Sequence, residues 1–373
     1  MPGLVKNIRR FPLAVFLAII CCQNFAAASA QAAKHKHVHA HARHKHAVEN
    51  PLSDAEWAAI QQRFRRWLPQ FQQQALAAGI SRKTIDEALA NAEPIRTVVV
   101  LDRKQPESFM SFAEYSKKAV DPRVAQGRAV MRQYATELRD VETQYGVPGE
   151  YIVALWGMET NYGDYKGGFN VPNALATLAV EGRRRNFFTA ELIDALRLID
   201  NGNIQASEMK GSWAGAMGNN QFMPSMLLKF GKDGDGDGLV NIWSRNHLRD
   251  TFASSANKLV HDGWRPGEIW GRQVSLPKKF PRALLNAGAA SSLAGWQKLG
   301  VRQANGNPLP VNEVATAALV APGMNRPHYP GGPIFLAYSN YRTLTRWNAG
   351  YFPGAVGLLA DRIKQPATHL ATE

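Results

Sequence analysis

Cysteine is almost absent from this chain of 373 residues: only Cys21 and Cys22 occur, side by side in the apolar run "FPLAVFLAIICC". Lys6, Arg9 and Arg10 precede that run and the small residues "ASA" follow at 28–30, the layout of a secretory signal cut after Ala30. Cleavage there leaves a mature protein without a thiol, which excludes cysteine catalysis and disulfide staples. Long apolar runs are also lacking. The one at the start is shorter than the ~20 residues a membrane span requires, and Gln23 and Asn24 interrupt it. Ile19 and Ile20 stand where small residues would precede a lipid-anchored Cys21, so a periplasmic location is expected over anchoring. No internal repeat appears, and no linker marks off a second domain.

Acids are the scarcer charge, 30 against 44 Lys and Arg. Beyond residue 50 the balance is still 37 basic to 29 acidic residues, or +8. A basic exported body implies an anionic partner, whether cell wall, membrane surface or nucleic acid. Export and the acidic loop described below argue against nucleic acid. Six of the ten histidines fall in "KHKHVHAHARHKH" at 34–46, interleaved with Lys and Arg. Such a composition cannot bury a core, so 31–50 reads as a solvated tether, with metal capture by its imidazoles as the alternative.

From Ser53 onward the pattern is helical. Trp57, Ile60, Phe64, Trp67, Leu68 and Phe71 recur every three or four residues up to a stop near Gly79, with Ser53 or Asp54 as cap. Residues 82–91 and 121–145 repeat the pattern, the latter with a stripe from Val124 through Met131, Tyr134, Leu138 and Val141 to Tyr145 and a stop at Gly146. Pro148 then opens a further helix. Short β-leaning runs between Gly and Pro place a small sheet insertion near 268–335, after which helices return. The expected fold is mainly α (α+β), with one catalytic domain over 51–373.

The helix after Pro148 is apolar, with Ile152, Val153, Leu155, Trp156 and Met158, yet carries Glu159 almost at its end. Its side chain leans over Leu155 and Trp156. Desolvation and the negative helix C-terminus both disfavour its charged form. A carboxyl group protonated near neutral pH can protonate a leaving-group oxygen, as glycosidic cleavage requires. The alternative is a glutamate that reaches water or pairs with an arginine.

A second motif, "KGSWAGAMGNNQFMPS" at 210–225, combines little bulk (Gly211, Ala214, Gly215, Ala216, Gly218) with polar groups (Ser212, Asn219, Asn220, Gln221) and apolar faces (Trp213, Met217, Phe222). Sugars call for that mixture. A tight packing element with Pro224 in the first turn of the next helix explains the small residues but not the polar cluster.

Together with "YGVPGEYIVALWGMETNYG", "NALATLAVEGRRRNFFTAEL", "DGDGDGLVNIW" and "RWNAGYFPGAVGLLADR", this motif resembles the membrane-bound lytic transglycosylase B family over residues 54–364. These lysozyme-like enzymes cleave peptidoglycan. The resemblance implies a lysozyme-like helical core with an additional N-terminal helical subdomain. It implies that Glu159 is the sole catalytic acid/base, cutting between N-acetylmuramic acid and N-acetylglucosamine with formation of 1,6-anhydromuramoyl ends. It further implies sugar contacts by Ser212, Met217, Gln221, Trp347 and Asn348, and carboxylate contacts by Arg183 and Arg184. The segment "AGYFPG" stands about one residue short of the family pattern, with Pro353 where a helix former is usual, so Tyr351 is given no role. Expected partners are glycan strands and cell-wall machinery. A hydrolysing muramidase and a non-catalytic wall-binding scaffold remain the competing readings.

The loop "DGDGDGLVNIWS" at 233–244 fits much of a calcium loop. Asp233, Asp235 and Asp237 take positions 1, 3 and 5, Gly238 position 6, and the Leu239 carbonyl position 7. Ser244 replaces the bidentate glutamate at position 12, unless Asn241 or Asp250 compensates. Some relatives hold calcium here, so a structural Ca2+ is expected as the alternative to a glycine-rich turn with solvated aspartates. The chemistry is expected to need no cofactor.

Overall fold

The structure, a computed structural model, describes residues 52–104, 110–286, 288–310, 312–324 and 331–364. The export signal at 1–30 and the tether at 31–50 lie outside the described residues. Among the described residues no helix is long and apolar enough to cross a membrane.

Helix α1 (Asp54–Ala77) starts at a capping box, in which Ser53 accepts the Glu56 N–H while the Glu56 carboxylate accepts the Ser53 N–H. It buries Ile60, Phe64, Phe71 and Ala75, and Trp67 stacks on Phe71 at 4.8 Å. Two short helices, α2 (Arg82–Leu89) and α3 (Arg96–Arg103), pack beside it. A second Ser–Glu capping box opens α4 (Phe112–Ala119). Neither α3 nor α4, each eight residues long, is among the helices expected from the sequence.

The single helix expected over 121–145 is divided. A 3-10 turn at Asp121–Arg123 leads into α5 (Val124–Gln133), and α6 (Ala135–Tyr145) follows a break at Tyr134, whose φ of −110° and ψ of 29° leave the helical region. The reason is tertiary: the Tyr134 ring packs edge-on against Trp156 and Phe252. Gly146 ends α6 with φ 66°, as expected. Next comes α7 (Gly149–Thr160), enclosed by the elements around it so that every residue except Met158 is buried.

Strand β1 (Phe169–Asn170) precedes α8 (Val171–Glu181) and α9 (Arg185–Asp200), and pairs with β2 (Lys210–Gly211). Then follow α10 (Pro224–Phe230) and α11 (Arg249–His261). The sheet insertion comprises β3 (Gly271–Ser275), β4 (Ala290–Ser291), α12 (Leu293–Lys298), β5 (Arg302–Gln303), β6 (Ala317–Val320) and β7 (Ile334–Ala337). Its five strands run antiparallel in the order β4-β6-β7-β3-β5, close to the expected 268–335. Helix α13 (Ser339–Trp347) returns the chain to the body, and α14 (Phe352–Lys364) packs on α7. Pro353 sits in the first turn of α14, where its missing N–H breaks no hydrogen bond.

Three cores result. One joins α1–α3 with α8–α10, a second surrounds α7, and a third fills the sheet insertion around Trp296 and Tyr338. Trp347 packs against both the first and the second, so the end of α13 marks their seam. The mainly helical architecture with a small sheet is as the sequence predicts.

The seat of α14 is tight: a Cβ added to Gly357 would lie 2.2 Å from the Trp270 ring. Gly357→Ala would gain about 1 kcal/mol of helix propensity, but the overpacking costs more, so a net loss of roughly 1–2 kcal/mol is expected in urea denaturation. Gly168→Ala meets nothing within 4 Å and should stay within about 0.5 kcal/mol of the parent.

Candidate active site

Glu159 occupies the last turn of α7, and the chain leaves that helix sharply. Asn161 and Tyr162 both adopt left-handed conformations, with φ of 51° and 58°. Each such residue costs roughly 1–2 kcal/mol, more readily borne by Asn than by Tyr. Surrounding contacts hold the turn. The Tyr162 hydroxyl donates to the Arg123 carbonyl at 2.8 Å, and its ring fills the space over Gly157, where a Cβ would come within 2.7 Å. The Gly157 carbonyl accepts from the Arg123 guanidinium at 2.7 Å and from the Asn161 N–H at 3.0 Å, which satisfies the helix end.

The glycine-rich loop is bonded to this corner. Asn219 Oδ1 accepts the Trp156 indole N–H at 3.1 Å, and the Thr160 hydroxyl reaches the Asn219 carbonyl at 3.4 Å. The Asn219 amide donates onward to the carbonyls of Ile242 and Ser244, while Asn220 donates to the Thr251 carbonyl and the Ser255 hydroxyl. Both asparagines are buried, so the polar cluster serves backbone groups that would otherwise go unsatisfied, rather than facing outward to a sugar. The glycines allow close backbone approach: a Cβ on Gly211 would stand 2.3 Å from the Ala216 carbonyl, and one on Gly218 would stand 2.6 Å from that of Ile242.

Three of the loop positions expected to touch substrate are also enclosed. Ser212 Oγ accepts the Ala216 N–H at 3.1 Å, Met217 is fully buried and pairs with Phe222 through two backbone hydrogen bonds, and Gln221 donates to the Gly218 and Lys166 carbonyls from a left-handed conformation. Trp347 and Asn348 are half-buried at the end of α13. Arg183 donates to the Asp102 carboxylate and carbonyl, whereas Arg184 lies 4.2 Å from the Phe187 ring centroid. The structure thus brings Glu159, Trp347 and the glycine-rich loop together, and engages Arg183 with α3 instead.

The Trp347 indole N–H donates to Glu159 Oε1 at 2.7 Å, and the ring of Phe222 packs on Trp347 at 5.4 Å. Glu159 itself is only 9% exposed. Burial pushes its carboxyl up from 4.5 to about 7, against the opposing pull of the Trp347 hydrogen bond and the Lys258 ammonium. Lys258 is itself buried, paired with Asp262, with its Nζ 5.2 Å from the Trp347 ring centroid. None of the groups that bear most on Glu159 is a carboxylate. Tyr115 of α4 stands on the same wall: burial raises its phenol to about 12, and the Glu159 charge pushes the same way. Sequence reasoning missed Lys258 and Tyr115. The capping box before α4 was the available signal for Tyr115, while Lys258 looks like any basic residue near a helix end.

The acidic loop also has a defined form. Asp233, Asp235 and Asp237 are exposed, with one carboxylate oxygen from each within 4.8 Å of the others. Asp233 accepts the N–H groups of Gly236 and Gly238, which hold its carboxyl below the usual range. Asp250 does not join them; it is buried and clamps the loop, accepting from Gly234 and Asn241 N–H. Asn241 accepts from Trp243 and Ser244 N–H. Both side chains are thus engaged with N–H groups of the loop.

Residues 63–361 match the family described as Transglycosylase SLT domain. The chain is 32% identical over 242 residues to the membrane-bound lytic murein transglycosylase B of Escherichia coli K12, a stretch covering 60% of this chain and 66% of that relative. Its structure is similar to that of SltB3 from Pseudomonas aeruginosa in complex with NAG-NAM-pentapeptide, at 42% identity and a TM-score of 0.76, over 81% of this chain and 80% of the other. It is also similar to the Escherichia coli lytic transglycosylase Slt35 in complex with calcium, at 27% identity and a TM-score of 0.65, covering 79% and 92% of the two chains.

Because the folded state holds a proton on Glu159 that the unfolded chain releases near pH 4.5, stability is highest below that value and falls as pH rises towards about 7. The loss should be roughly 1–3 kcal/mol. Glu159→Gln carries no such charge, so its stability relative to the parent should be greater at pH 8 than at pH 5. Urea unfolding of both proteins at the two pH values checks this, and an unchanged difference would contradict it.

Proposed function

The chain belongs to the transglycosylase SLT domain family, and from that premise we propose that it is a peptidoglycan lytic transglycosylase with Glu159 as its single acid and base. The observation that carries this reading is a carboxyl group only 9% exposed and held by the Trp347 indole N–H, whose burial raises it to about 7 so that it exchanges its proton near neutral pH. An indole N–H can only donate, so Oε1 is the accepting oxygen and Oε2 is left free to carry the proton. From there it passes to the oxygen linking N-acetylmuramic acid to N-acetylglucosamine, and the C1–O bond breaks. The resulting carboxylate is stabilised by Trp347 and Lys258. It takes the proton of the C6 hydroxyl as that oxygen closes onto C1. A 1,6-anhydro ring forms, Glu159 regains its proton, and no water is consumed.

A two-carboxylate mechanism would place a second acid within about 5–10 Å of the first, across the scissile bond. Asp164 is exposed and accepts from Asn161, and Asp194 pairs with Arg197. The N-acetyl group of the substrate can support the charge at C1 instead. Among the expected contacts, Trp347 acts directly on the acid, Asn348 beside it at the end of α13 is assigned a sugar contact, and Gln221 holds the loop through the Gly218 and Lys166 carbonyls. Ser212 and Met217 act by setting the loop's shape. Arg184 is the better placed of the two arginines to meet a carboxylate, since Asp102 already engages Arg183. The basic body suits an anionic wall polymer, reached by export through residues 1–30.

The three aspartates and the Leu239 carbonyl offer hard oxygen ligands, and we assign them a structural calcium ion, which would neutralise their mutual repulsion. Their exposure and the missing glutamate imply weak binding.

Digestion of purified sacculi followed by mass spectrometry should give anhydro ends, lighter by one water than reducing ends; reducing ends alone would establish a hydrolase. Glu159→Gln should lower turnover by about 10²–10⁴-fold, and the parent rate should decline above pH 7 as the acid ionises. Persistent lysis by the variant would remove Glu159 from this role, and no lysis by the parent would favour a wall-binding scaffold. Millimolar calcium should raise the thermal midpoint, and Asp235→Asn should abolish that rise; a midpoint indifferent to calcium and chelator would exclude the ion.

A further inference from the structure

Between the outer side of α1 and the α8–α9 turn lies a concavity of about 170 Å³ lined by Arg63, Arg66, Trp67, Gln70, Val180 and Arg185. It shares no lining residue with the Glu159 site. A second hollow, over the start of α9, meets it at Arg185.

The charge in this concavity is uncompensated. Nearby acids are already engaged: Glu56 and Glu181 with Arg103, and Asp102 with Arg183. No acid pairs with Arg63, Arg66 or Arg185 among the described residues. The first turn of α9 adds to the positive field, for it contains no acid and its N-cap, Arg184, makes no side-chain cap. Arg184 Nη1 on the same turn is buried without a hydrogen-bond partner. Like charges are held together here with nothing between them, which is stable at modest cost only because most of these side chains reach solvent.

The other half of the lining is apolar and fixed. Trp67 is held by stacking on Phe71, with ring planes 20° apart, and Val180 is buried at the base. The space admits a carboxylate with one short side chain. Planar guanidinium forks match a planar carboxylate bidentately, and an indole face accepts a methyl group.

We propose that this pocket binds the free C-terminal carboxylate of a peptide whose last residue has a small side chain, as at the end of a peptidoglycan stem peptide. The identification of the stem peptide rests on the peptidoglycan reading above. Binding there would tether a neighbouring stem while Glu159 acts on the glycan.

The test is an NMR titration of the full chain, following the Trp67 indole N–H assigned by its disappearance in Trp67→Phe. Diacetyl-L-lysyl-D-alanyl-D-alanine should shift it saturably, and the C-terminal amide of the same peptide should bind at least about tenfold more weakly. The double variant Arg66→Gln, Arg185→Gln should lose about tenfold or more for the acid. Equal binding of acid and amide, tighter binding of inorganic phosphate than of the acid, or an undiminished double variant would each overturn the proposal. The double variant should cleave glycan strands stripped of stem peptides at the parent rate but intact sacculi severalfold more slowly; equal slowing on both contradicts it. Should the parent cleave neither substrate, the functional reading falls, and the peptide titration still decides the pocket.

Discussion

A single carboxyl group kept out of water organises this molecule. Placing Glu159 in a helix whose other residues are nearly all buried disfavours its ionised form, and only the Trp347 indole and the Lys258 ammonium pull the other way. The balance matters chemically. Burial alone would leave an acid too reluctant to release its proton, whereas a second cation in contact would leave it ionised. Holding the group near neutral requires a dry wall and one well-aimed donor, and the fold supplies both where its two larger cores meet.

The long route taken by the chain between Glu159 and Trp347 follows from that requirement. The two residues stand 188 positions apart, and the sheet insertion lies between them. Helix α13 carries the indole back only after that insertion closes its own small core. The glycine-rich loop acts as a spacer and clamp, with Asn219 tying α7 to the segment before α11. Its polarity satisfies buried backbone, and its small residues let three strands of chain pass at van der Waals distance. The left-handed turn at Asn161 and Tyr162 is the local strain borne to end α7 directly after its acid.

Much of this was legible because it is local. The apolar run, the acid at its end, the capping signals and the glycine stops all act within a few residues, and the helices they imply exist. The division at Tyr134 was illegible, since a ring drawn into the core by Trp156 and Phe252 overrides an unbroken stripe. The asparagines of the loop were misread for a similar reason: composition reveals hydrogen-bonding capacity but not whether its partner is ligand or backbone. Arg183 looked available until Asp102, on a short helix outside those expected from the sequence, was seen to engage it. Lys258 and Tyr115 reach the acid only through tertiary packing.

The most direct measurement is the titration of the Glu159 carboxyl itself, by carboxyl carbon NMR of glutamate-labelled protein with its resonance identified by loss in Glu159→Gln. A midpoint near pH 7 is the result this account predicts. A midpoint near the ordinary value of 4.5 would mean that water reaches the group freely, and would contradict it.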